Sequence, residues 1–195
     1  YTNHYNAYPA ITARYFEGEV YSQSVGGLGV VRNYGGYDTY HQYTDYTHSI
    51  LQDRPELSWD YQNDRADVII IQLGINDFSV PLDQFVPDEH WEDNSQLISE
   101  WHLYMNQMLN ELTVAYGNPA IIFMTYSIGS AASVATQFVK LRKEQGDNIQ
   151  LLDFSDTIKD LGGCDWHPGL LGHQNIADAL IAEIESFELP QLSIH

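Results

Sequence analysis

Three short segments of this chain are apolar almost without interruption, and helix-period segments separate them. Val68-Ile69-Ile70-Ile71-Gln72-Leu73 is a β-branched run closed by Gly74. A run without alternation is what a parallel strand covered on both faces requires. Residues 120–124 repeat that pattern, and residues 149–154 supply a third such strand. Between the first two, Leu97, Ile98, Trp101, Met105, Met108, Leu109, Leu112 and Ala115 fall on one face of a predicted helix, which makes Trp101 a core residue. A second helix is predicted over 131–145, stopped by Gly146. Ile176, Ala177, Leu180, Ile181 and Ile184 mark a third. Nearer the start, residues 9–16 read as a helix, and 20–25 as a strand ending in the turn Gly26-Gly27-Leu28-Gly29. Residues 33–64, rich in Tyr, Asp and Gly, read as a long surface loop with room for a helix around 46–51.

Strands alternating with helices predict an α/β three-layer α/β/α sandwich around a parallel sheet. Chemistry in such a sheet gathers on loops at the carboxyl ends of the strands, which gives a location test for candidate residues. The 195 residues suit one domain, and neither an internal repeat nor a low-complexity linker divides them. No apolar stretch is long enough to span a bilayer, and no signal-like segment opens the chain.

Charge narrows the partners. There are 27 acidic residues against 8 basic ones, a net charge of −19. Such a surface argues against nucleic acid and against anionic membranes, and suits a neutral or cationic substrate. It also fits a secreted, extracellular protein or a salt-adapted one. Cys164 is the single cysteine, so no intrachain disulfide can form, and it does not settle the compartment.

Two motifs pass the location test. Gly74-Ile75-Asn76-Asp77 follows the strand at 68–73 directly. The Gly lets the backbone turn sharply, and the Asn side chain can then present an N–H where an oxyanion would form. The bland alternative is an Asx-capped turn. Asp165-Trp166-His167-Pro168 lies between the last strand and the last helix. A general-base imidazole needs one nitrogen toward a nucleophile and the other held by an acceptor. Asp165 can supply that acceptor, or it can face solvent and leave the task to a backbone carbonyl. The Gly26–Gly29 cluster adds backbone N–H groups able to face a ligand closely, with Gly27 as the candidate donor. His173 is a weaker candidate, for a metal site with Asp165 or, more simply, for packing at the last helix. Cys164 has no basic partner in sequence and reads as structural.

Gly27, Gly74-Ile75-Asn76-Asp77 and Asp165-Trp166-His167 together resemble the last three blocks of the SGNH (GDSL-like) hydrolases, in order and in place. Gly29-Val30-Val31-Arg32-Asn33-Tyr34, Trp59-Asp60-Tyr61, Gly163-Cys164-Asp165-Trp166-His167-Pro168 and Gly172-His173 bring the similarity closer to carbohydrate esterase family two. The similarity runs from about residue 8 to 182. It implies a flavodoxin-like sheet and a serine esterase that removes acetyl groups from acetylxylan or acetylated oligosaccharides. In that scheme His167 is the base, Asp165 orients it, and Asn76 and Gly27 hold the oxyanion. No metal or organic cofactor is needed. Trp91 and Trp166 are the candidate sugar-binding aromatics.

The chain departs from the pattern at its front, where the Gly-Asp-Ser block carrying the nucleophile has no counterpart. The expectation is therefore a catalytic domain over 1–195 that is N-terminally incomplete, lacking its first, central strand. An upstream segment or a second chain would complete it. The contrasting expectation is a non-catalytic carbohydrate-binding or split-domain remnant of the same fold. A lipid or thioester hydrolase on this scaffold is a third possibility.

Overall fold

The computed structural model describes residues 3–37, 49–51, 54–58 and 66–187. Two compact units emerge from the contacts: one combines the start of the chain to Ser24 with Leu152 onward, the other is Val25–Leu151.

The larger unit is built on parallel strands. β3 (Val68–Ile71) pairs in parallel with β4 (Ala120–Thr125), with Val68 opposite Ala120 and Ile71 opposite Phe123. β5 (Ile149–Asp153) follows in the order β3-β4-β5, and the division between units falls inside it. Every residue of β4 is buried, as an uninterrupted apolar run requires of a central strand. A separate antiparallel pair joins β1 (Ser49–Leu51) to β2 (Arg54–Ser58).

Helix α3 (Asn94–Tyr116) begins at Asp93, whose carboxylate accepts the amides of Ser95 and Gln96, and ends at Gly117 in the left-handed region, φ 72°. Its buried stripe of Leu97, Trp101, Met105, Met108 and Leu109 is the face expected from the periodicity. Trp101 is fully enclosed, its ring edge-on to Phe78, Phe123 of β4 and Phe138 of α4 (Ala131–Glu144) at 5.2–6.1 Å between centroids. Arg142 ties α4 to α3 by donating to Asn106 and Asn110.

In the smaller unit α1 (Tyr8–Tyr15) packs on α5 (Leu170–Ser186). The Tyr8 amide donates to His173 Nδ1 at 3.4 Å, the two rings stack, and the Tyr15 hydroxyl donates to Glu185. His173 therefore serves the helix contact. Burial lowers its pKa and pushes the Tyr8 phenol up to about 12.

Three sequence expectations need correction. Residues 20–25 form no strand: Tyr21 is 61% exposed, and the segment joins no ladder among the described residues. A strand is defined by its ladder, and no described strand pairs with this segment. The helix expected at 46–51 gives way to strand β1 where it is described, and 46–48 lie outside the described residues. The surface loop expected over 33–64 does not start as one: Asn33, Gly35 and Gly36 are buried, continuous with the buried Val30, Val31 and Arg32 before them.

Candidate active site

The reason that segment is buried is Asp77. Strand β3 runs out at Ile71, and Gly74 turns the chain at φ 95° into the short helix α2 (Ile75–Phe78). A side chain at position 74 would be strained by that φ and would press on the Trp101 ring at 3.0 Å. The turn sends Asp77 inward, with no exposure at all. Its Oδ1 accepts the amides of Val31 (2.9 Å) and Arg32 (3.0 Å), and its Oδ2 accepts that of Val30 (3.0 Å). Burial drives the carboxyl's pKa upward, and the three amides, which favour the anion, oppose that.

Around this anchor the 27–34 segment closes tightly. Gly29 donates its amide to Asn33 Oδ1 at 2.9 Å, and a Cβ on Gly29 would lie 1.9 Å from the Arg32 carbonyl oxygen. Asn76 donates through Nδ2 to the Leu28 carbonyl at 2.8 Å. An amide nitrogen has two protons, and no other described residue takes the second. Gly27, at φ 79°, accepts from the Tyr34 amide through its carbonyl, and its own N–H is free of partners among the described residues. The two expected oxyanion donors thus belong to one hydrogen-bonded structure.

Arg32 locks that structure from behind. Its Nε and Nη2 reach both oxygens of Glu89 at 2.6 and 2.8 Å. Burial alone would raise the Glu89 carboxyl, but the Arg32 hydrogen bonds, the Asp83 amide and the Arg32 charge hold it below the usual carboxylate range.

His167 and Asp165 sit in the other unit, on a single tight turn. Gly163 donates its amide to the His167 carbonyl at 3.0 Å, and the His167 amide donates to Cys164 O at 3.1 Å. The turn depends on Asp165 adopting the left-handed region, φ 52°, which Asp and Asn tolerate better than most residues. The same Cys164 carbonyl lies 2.9 Å from His167 Nδ1. A carbonyl only accepts, so Nδ1 carries the proton and Nε2 keeps the lone pair a base needs. Asp165 is exposed and makes no hydrogen bond to His167; of the two arrangements open from sequence, the structure has the backbone carbonyl. Asp160 braces this turn, accepting the Gly162 amide on Oδ1 and the Gly169 amide on its backbone carbonyl.

Trp91 is not open to a sugar. It is 7% exposed, belongs to the core cluster, and donates Nε1 to Glu100 at 2.7 Å. A large ring with one polar atom is buried cheaply when that atom finds a partner. The backbone of Trp166 lies in the His167 turn, and its side chain is outside what the structure describes.

Sequence reasoning gave Asp77, Arg32 and Glu89 no role. The available signal was an acid directly after Asn76, and one arginine following the apolar pair Val30-Val31.

The family model for GDSL-like lipases and acylhydrolases matches residues 2–180, and the chain belongs to that family. It is also similar to a solved family two carbohydrate esterase from Clostridium thermocellum in complex with cellohexaose, 25% identical with a TM-score of 0.72 over 94% of this chain and 54% of that one. It is 26% identical to the cellulase/esterase CelE of Acetivibrio thermocellus, with 94% of this chain aligned to 22% of that protein. It is also 26% identical to an acetylxylan esterase / glucomannan deacetylase of Cellvibrio japonicus, with 94% of this chain aligned to 50% of that one. One solved carbohydrate esterase, whose active site displays divergent catalytic and non-catalytic binding functions, superposes with a TM-score of 0.85 at 25% identity. That match covers 96% of this chain and 59% of the other. The α/β architecture is thus the SGNH carbohydrate esterase fold. The chain spans half or less of the length of the two curated relatives. No helix among the described residues is long and apolar enough to cross a membrane.

Proposed function

We propose that residues 1–195 are most of the catalytic domain of a secreted serine esterase that removes acetyl groups from carbohydrate, acetylated xylan or oligosaccharide. The nucleophilic serine comes from a segment outside these residues. The observation that carries the reading is the His167 ring held at Nδ1 by the Cys164 carbonyl, which leaves Nε2 as the base.

His167 Nε2 takes the serine hydroxyl proton as Oγ attacks the acetyl carbonyl carbon. The negative charge that develops on the carbonyl oxygen is met by the Gly27 N–H and by the Asn76 Nδ2 proton not used on the Leu28 carbonyl. As the intermediate collapses, the bond to the sugar oxygen breaks, and His167 returns the proton to that oxygen. Water then repeats the sequence on the acetyl-serine and releases acetate. Asp165 stands beside this step as a charge near the imidazolium, and Trp166 as the aromatic that meets the sugar. No cofactor takes part.

The full-length protein should release acetate from acetylated xylo-oligosaccharides. His167→Ala should lower that rate by about 10³-fold or more. No release by the parent protein would reject the reading. Oligosaccharide binding without acetate release would instead establish a carbohydrate-binding remnant of the same fold.

A further inference from the structure

Arg32 uses every donor it has. Nε gives to Glu89 Oε2 and Nη2 to Glu89 Oε1, while Nη1 gives to the carbonyls of Asp77 (3.1 Å) and Val80 (2.9 Å). The last N–H, on Nη2, goes to the Pro81 carbonyl at 3.0 Å. Five N–H groups meet five acceptors, the full capacity of a guanidinium. Glu89 is itself held, accepting the Asp83 amide at 2.9 Å and donating its own amide to Asp83 Oδ1.

The pair is buried, with the Arg32 side chain 1% and the Glu89 side chain 4% exposed. Burying two charges is a poor way to gain stability, since apolar residues of similar volume often do as well or better. Directional bonds to two chain segments, Glu89 and the 77–81 backbone, do something an apolar pair cannot: they fix position. The position fixed here is that of the oxyanion donors. Arg32 binds the backbone of Asp77, one residue from Asn76, and its own amide is bound by the Asp77 carboxylate. Five residues upstream of Arg32 is Gly27, held by the Tyr34 amide. Asn76 reaches across to Leu28.

We propose that Arg32, through its clamp on Glu89 and the 77–81 backbone, is a positioning residue for the oxyanion donors Gly27 and Asn76. The inference rests on the esterase reading above. Loosening the clamp displaces donors whose value lies in their placement, and a shift of about 1 Å at such a site costs on the order of 100-fold in rate.

The test uses the full-length protein with Arg32→Lys, which keeps the charge but offers three donors instead of five. Turnover is measured on acetylated xylo-oligosaccharide per site titrated by a fluorophosphonate, so that lost fold does not count as lost rate. The expected result is a kcat lower by about 10- to 100-fold with KM within about twofold, since the donors act on the transition state. The amide resonances of Gly27 and of the Asn76 side chain should shift in the same variant. A folded Arg32→Lys protein with kcat per titrated site within twofold of the parent, and those resonances unmoved, overturns the proposal even if its melting temperature has dropped. Should Arg32→Lys not fold, Glu89→Gln is judged by the same two readouts, with kcat expected to fall about 3- to 10-fold. A parent protein that hydrolyses no acetyl ester sinks the esterase reading instead, and the two resonances then decide on the clamp alone.

Discussion

His167 places Nδ1 2.9 Å from the carbonyl oxygen of Cys164, three residues earlier on the same turn. The ring is therefore oriented by backbone, and the adjacent carboxylate of Asp165 is free to be something other than the third member of a triad. Asp165→Asn separates the two roles, because Asn also tolerates φ near 52° and leaves the turn intact. Its kcat/KM should fall by less than about tenfold, against the near-complete loss from His167→Ala. A loss near the about 10⁴-fold seen when a triad carboxylate is removed would restore Asp165 as the orienting group.

Asp77→Ala strips acceptors from the buried amides of Val30, Val31 and Arg32. Each unsatisfied buried amide costs about 1–3 kcal/mol. Denaturant unfolding should show a loss of several kcal/mol, or no folded protein at all. A loss under about 1 kcal/mol would mean that the segment does not depend on this carboxylate.

Acid should weaken the same region through Glu89. Its folded pKa is depressed, so its contribution is full above the unfolded carboxylate value of about 4.3 and is lost as pH falls through the folded value. Asp77, raised by burial, works in the opposite sense: its contribution is greatest below the ordinary Asp value and declines as pH rises through the folded one. Comparison of the parent with Glu89→Gln isolates the first effect. At pH 7 the variant should be less stable by about 3–5 kcal/mol, the cost of leaving a buried charge unpaired, and the two urea midpoints should converge as the pH falls below the ordinary carboxylate range. Parallel curves would remove Glu89 from the acid response.

What could be read from sequence, and what could not, follows from the range of the forces involved. Strand β4 and the buried stripe of α3 were legible because burial imposes a local period on the residues themselves. Asn76 was expected just past a strand end, and the chain does turn there from β3 into α2, whereas Gly27 follows no described strand and His167 stands well beyond the end of β5. Residues 20–25 have the composition of a strand, but a strand is made by its ladder, and no described strand pairs with them. Arg32, Asp77 and Glu89 are separated by 45 and 57 residues along the chain from the first to the others. Nothing local marks them as partners. Trp91 shows the converse failure: an aromatic beside polar residues looks exposed until the Glu100 contact and its core neighbours are seen.

Whether His167 serves a serine nucleophile is read from the intact mass of the full-length protein before and after a fluorophosphonate serine probe, followed by peptide mapping. One adduct per molecule is expected, on a serine outside residues 1–195, and it should be lost in His167→Ala. No adduct, or an adduct unaffected by that substitution, would contradict a serine esterase with His167 as its base.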